Sequence, residues 1–102
     1  MTRRRYTAYR RIRQELELLS SEALTEDERE LLRDVAEGLL LAHDDDVDEI
    51  DELRTKAAVA LSLLVGLGRW SDAAADETWE RLVACGPLDG GAARPERTVE
   101  HV

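Results

Sequence analysis

This chain of 102 residues has no phenylalanine, no asparagine, a single cysteine and a single lysine. Each shortage excludes something. With Cys85 alone there is no internal disulfide and no metal centre built only from cysteines, which fits a reducing compartment. Without phenylalanine, the large apolar pieces are Trp70 and Trp79, while Tyr6 and Tyr9 both stand near the N-terminus. The core must therefore come from 16 leucines with valine and alanine, a composition suited to helices that approach one another closely. Arginine outnumbers lysine 13 to 1, and together with the missing asparagine this points to a GC-rich genome. Salt adaptation, which also favours acids over lysine, is a second reading. Long apolar runs are missing too. The longest, Ala57 to Leu67, is interrupted by Ser62 and Gly66 and is too short to span a bilayer. No apolar run of signal-peptide length follows the basic start, so a cytoplasmic protein with no membrane partner is expected.

What is present is charge, and it is divided. Residues 1–13 contain six arginines and no acid: Arg3, Arg4, Arg5, Arg10, Arg11 and Arg13. The rest of the chain carries a formal charge of about −15, giving a net −9. Such a partition speaks about partners rather than fold. The acidic body argues against general nucleic-acid affinity. The basic arm, with Tyr6 and Tyr9 interleaved, is the part that could grip phosphates and stack on bases. Arginines at a helix start oppose the helix dipole, so something must offset that cost. An anionic partner would do so. The protein's own acids would do so equally, and Arg11–Glu15 and Arg13–Glu17 already stand at i,i+4.

Four helical segments are legible and no strand is. The first is expected from about Arg4 to Ser20, with Tyr9, Ile12, Leu16 and Leu19 at three- and four-residue steps. Thr25 and Glu28 form a capping box at the start of the second, which ends near Ala42 or His43. Its apolar face combines Leu31, Leu32, Val35, Ala36, Leu39 and Leu40, and Gly38 inside it suggests a close helix crossing. The third helix follows Asp44–Asp46, with Asp46 and Glu49 as a second capping pair. It carries a seam of Ile50, Leu53, Ala57, Ala60, Leu64 and Leu67, and Val59, Leu61, Leu63 and Val65 fill its other faces. A helix apolar all round is expected to be buried all round, so this helix is expected at the centre. Gly66 and Gly68 stop it. Ser71 caps the fourth helix, Ala75, Trp79 and Leu82 give its inner face, and Gly86–Pro87 ends it. The expectation is an all-α compact bundle of about four helices: one domain over residues 1–86, with residues 1–13 as a basic arm and 87–102 as a flexible tail. The expected core is Ile12, Leu16, Leu19, Leu32, Val35, Leu39, Ile50, Leu53, Ala57, Ala60, Leu61, Leu64, Leu67, Trp79 and Leu82.

No cluster specifies a reaction. The segment His43 to Glu52 is rich in acids, and Asp44, Asp46 and Asp48 match the first three ligand positions of a calcium loop. The sixth position needs glycine and holds Glu49; the twelfth needs glutamate and holds Thr55. An acid-rich helix N-terminus accounts for the run, and no metal or cofactor is expected. His43 has no second ligand in view. Cys85 falls at a helix C-terminus, where the dipole disfavours a thiolate, and reads as a small apolar core residue. With no phosphate loop and no nucleophile elbow, no catalytic residue is nominated. The expected function is a non-enzymatic interaction module that binds another protein, with a second copy of itself among the candidates, since a symmetric dimer would close any apolar area the bundle leaves open. The alternatives are a nucleic-acid binder using Arg3, Arg4, Arg5, Tyr6, Tyr9, Arg10, Arg11 and Arg13, and an acidic inhibitor that imitates nucleic acid.

Overall fold

The computed structural model describes residues 3–43 and 45–87. Asp44 and the tail beyond Pro87 lie outside the described residues. Within them the chain forms four helices and no strand: α1 (Arg3–Leu18), α2 (Glu26–Leu41), α3 (Val47–Gly66) and α4 (Asp72–Ala84).

Local chemistry sets most of the helix ends. The Thr25 hydroxyl accepts from the Glu28 N–H at 3.2 Å, and the Glu28 carboxylate accepts from the Thr25 N–H at 2.9 Å, so the capping box at α2 is closed. The Ser71 hydroxyl accepts from the Ala74 N–H at 3.1 Å and starts α4. The Asp46–Glu49 pair expected at α3 does not form. Asp46 occupies the N-cap position with ψ 52°, outside the extended region that aims a capping side chain into the first turn. Its carboxylate turns back and accepts from the His43 N–H at 3.0 Å. At the other end of α3, the Gly68 N–H donates to the Val65 carbonyl at 2.9 Å and the Arg69 N–H to the Leu64 carbonyl at 3.0 Å. This pair of bonds is a Schellman motif. It requires a left-handed residue, and Gly68 supplies φ 76°.

The packing places α2 and α4, rather than α3, at the middle. Helix α1 lies against α2 and α4, and α3 lies against α2 and α4, but α1 and α3 have no close backbone approach. Helices α2 and α4 each touch all three others. At the α2–α3 crossing, Gly38 faces Leu53; a Cβ built on Gly38 would stand 2.9 Å from Leu53 Cδ1, so the glycine does mark a close approach. The core joins Ile12, Leu16, Leu32, Val35, Leu39, Ile50, Ala57, Leu61, Leu64, Trp79 and Leu82, with Leu19, Leu53 and Ala60 packed half-buried against it. Leu24, Ala36, Ala42, Ala58, Ala75, Val83 and Cys85 complete its buried part.

Leu67 corrects the expected core, being 65% exposed. The expectation that α3 is buried all round is corrected with it, since Val59 and Leu63 are 56% and 60% exposed. The reason is geometric. In a four-helix arrangement each helix meets its neighbours over part of its circumference and keeps one outer face, however apolar that face is. Leu64 and Leu67 therefore separate two kinds of apolar residue on one helix. Leu64→Ala is expected to cost about 2–5 kcal/mol in chemical denaturation, as for buried leucines in general. Leu67→Ala is expected to stay within about 0.5 kcal/mol of the parent.

Candidate functional site

Two surfaces stand out: the basic helix α1 and an apolar groove between α2 and α3.

The arginines of α1 do not act as one arm. Residues 3–18 are a single helix, and its periodicity distributes the basic side chains around it. Arg5 points inward. Its guanidinium donates to the carbonyl oxygens of Leu39 and Leu40 at 2.8 Å, Ala42 at 3.1 Å and Cys85 at 2.9 Å. These oxygens close the C-terminal ends of α2 and α4, where the last carbonyls lack intrahelical donors and the dipoles are negative. Backbone carbonyls of two neighbouring helices thus receive the Arg5 guanidinium. Arg11 pairs with Glu15 at 3.6 Å, as the spacing suggests. Arg13 instead lies over the Tyr9 ring, 5.7 Å from its centroid, and Glu17 faces Arg33 of α2 at 3.6 Å. Arg3, Arg4 and Arg10 are exposed. Tyr6 and Tyr9 are neighbours with ring centroids 6.5 Å apart. A shallow depression of about 310 Å³ runs along the outer side of α1 past Arg10, Arg13, Gln14, Glu17 and Leu18.

Other arginines close other helix ends. Arg29, in the first turn of α2, donates to the Leu16 and Leu19 carbonyls at 2.9 and 2.7 Å and so caps α1. Arg69 donates to the Glu22 carbonyl at 3.2 Å and to the Glu28 carboxylate at 2.9 Å, tying the α3–α4 turn to the α1–α2 turn. Trp70 adds an indole N–H bond to the Ala23 carbonyl at 2.8 Å. At Glu28, partial desolvation raises the carboxyl pKa, but the Thr25 N–H, the Arg69 guanidinium and the Thr25 hydroxyl outweigh it and hold the pKa below the ordinary carboxylate value. Single-sequence reading missed these inward roles of Arg5, Arg29 and Arg69. For Arg5 and Arg29 the only signal was position, since each stands where another helix ends.

The groove was not nominated from sequence either. It holds about 580 Å³ between α2 and α3 and opens to solvent. Leu31 of α2 and Val59, Ala60 and Leu63 of α3 form its floor. Asp27 and Glu28 stand at one end, and Glu52, Thr55 and Lys56 along the other. Leu67 continues the exposed apolar line one turn beyond Leu63. An open apolar strip of this kind on a small chain is a recognised mark of an interaction surface.

No group of three or more His, Cys, Asp or Glu among the described residues is placed to hold a metal ion, and Asp44 lies outside them. His43 is exposed, and its backbone N–H serves the turn to Asp46. No helix among them is long and apolar enough to cross a membrane. Cys85 is fully buried, and its thiol donates toward the Arg81 carbonyl at 3.4 Å. Burial pushes its pKa up to about 12, against a smaller opposing pull from Arg5. No protein-family model matches the chain, and no curated protein or solved structure matches it.

Two outcomes follow from this geometry. Arg5→Ala is expected to lower stability by about 1.5–3 kcal/mol, the worth of a charge-assisted hydrogen-bond set, and Arg5→Lys to recover only part because an ammonium cannot fork to two helix ends. Arg3→Ala serves as the control and should leave the melting temperature nearly unchanged. Cys85 should resist a thiol reagent such as dithionitrobenzoate at pH 8 in the folded protein and react at once in denaturant, because neither a thiolate nor an access path exists in the fold.

Proposed function

We propose that this chain is a non-enzymatic interaction module that binds another protein through the α2–α3 groove. The observation that carries the reading is the coexistence of a closed core with an open apolar line. Leu31, Val59, Leu63 and Leu67 are 38%, 56%, 60% and 65% exposed, and none of them is needed to complete the packing between helices. Two helices with a groove between them offer the usual seat for an apolar helix or extended segment, anchored by a few side chains and rimmed by charge. The lack of any reactive cluster among the described residues leaves binding as the activity such a surface can supply.

A second reading draws on one specific observation. Arg3, Tyr6, Arg10 and Arg13 share the outward side of α1, which is a plausible footprint for phosphates. It is the weaker reading because Arg5 is committed to backbone carbonyls and Arg11 to Glu15, which thins the cluster.

A photo-crosslinking residue placed at Leu63 tests the first reading, with the same residue at exposed Glu80 as control. The expected result in living cells is a discrete protein adduct from position 63 that is absent from position 80, and loss of binding to that purified partner on Leu63→Glu. Matching or empty adduct patterns would defeat the proposal. So would steep, salt-sensitive binding to DNA or RNA that disappears in Arg10→Ala/Arg13→Ala, which would move the function to α1.

A further inference from the structure

We propose that the groove is occupied by a second copy of the chain, docked about a two-fold axis that crosses α3 between Val59 and Leu63. The proposal rests on reading the groove as a docking surface and adds the identity and orientation of the occupant.

The order of charges along the groove carries the argument. Helices α2 and α3 are antiparallel: Gly38 faces Leu53 near one end, and Glu28 meets Arg69 at 2.9 Å at the other. Asp27 and Glu28 therefore stand at the Arg69 end, with Glu52 and Lys56 toward the Leu53 end. Leu31, Val59 and Leu63 lie between them. The groove is apolar in the middle, with Glu52 and Lys56 toward one end and Asp27 and the Arg69-paired Glu28 at the other.

A two-fold axis reverses this order in the second copy. Val59 of each copy then covers Leu63 of the other, and Leu31 closes the sides. Lys56 reaches the turn around Gly66 of the second copy, next to its Asp27, and the contact occurs twice. Glu52 is carried toward the second copy's Arg69. Gly66 has no side chain, so the two α3 helices can approach closely at that turn. A parallel alignment would instead set Lys56 beside Lys56 and Asp27 beside Asp27, so like charges would oppose it. The apolar patch is small beside the roughly 800 Å² per partner of a standard interface, which places the dimer in the weak, concentration-dependent class.

Sedimentation equilibrium of the full chain, from about 1 to about 500 µM to cover that weak class, is the test. The expected result is a mass that rises with concentration to twice the chain's 11.5 kDa and no further. Leu63→Glu should remain monomeric throughout while keeping its helical circular dichroism, because the side chain is exposed and its loss leaves the core intact. Lys56→Glu should weaken the dimer about tenfold or more, and adding Asp27→Lys to it should restore association. A wild-type chain that stays monomeric overturns the proposal, as does a dimer indifferent to Leu63→Glu. A dimer lost in Leu63→Glu but unmoved by Lys56→Glu overturns the antiparallel register. If the chain is monomeric yet position 63 crosslinks to a different protein, self-docking fails and the broader groove reading stands.

Discussion

The ends of three helices in this fold are finished by arginines that belong to other elements, and the rest of the arrangement follows from that requirement. Every α-helix leaves its last carbonyls without donors, and burying them unsatisfied is costly. Helix α3 solves the problem within its own sequence, through Gly68 and the Schellman bonds. The others import a guanidinium. Arg29 closes α1, and Arg5 closes α2 and α4 together. For one arginine to serve two helix ends, α2 and α4 must finish side by side and α1 must begin there. That fixes the relative direction of three helices. The same contact resolves the electrostatic puzzle of a helix that starts with three consecutive arginines. The positive end of the α1 dipole disfavours them, but Arg5 sits against the negative ends of two neighbouring dipoles, and these outweigh one unfavourable terminus.

The helices themselves were legible from the residues because their signals are local. Thr25 with Glu28, Ser71, Gly68 and Gly86 each act within a turn or two of their own position, so neighbours in sequence suffice to read them. The Asp46 cap was misread for a related reason. The residue type was right, but the backbone turn at His43–Asp46 captured the carboxylate first. Leu24, fully buried in the turn before α2, was missed because a lone leucine in a connection has no periodicity to reveal it. The position before an N-cap, where apolar residues often anchor the incoming chain, was its only cue.

The candidate site was legible only in disguise. The surplus of apolar residues on α3 was visible as Val59 and Leu63 outside the seam, and it was taken for burial on all sides. Periodicity reports that a residue prefers not to face water; it does not say whether the cover comes from the same chain or another. That distinction needs the packing, and here the packing is decisive because α1, the helix that might have covered the outer face of α3, lies on the far side of α2 and α4. The arginines show the converse. Composition displayed six of them as one cationic arm, but helical periodicity sends Arg5 inward, Arg11 to Glu15 and Arg13 over Tyr9. A sum of formal charges could not anticipate that division.

The same separation decides what the apolar line on α3 can be for. Leu61 and Leu64 are at most 1% exposed and Leu31, Val59 and Leu63 38%, 56% and 60%, yet Leu61, Leu63 and Leu64 lie within four residues of one another. Folding explains the first pair, because the core closes on them. It does not explain the other three, since polar side chains at their positions would solvate the outer face at little cost to the packing beneath. Charged residues occupy the comparable outward positions on α4, where Glu77 and Glu80 face solvent. Helix α3 differs from α4 in this respect, and its exposed apolar residues line a groove whose two ends carry different charges, Glu52 and Lys56 at one and Asp27 and Glu28 at the other. A surface with that order can discriminate the direction of what docks on it, which a uniformly acidic or uniformly greasy face could not do.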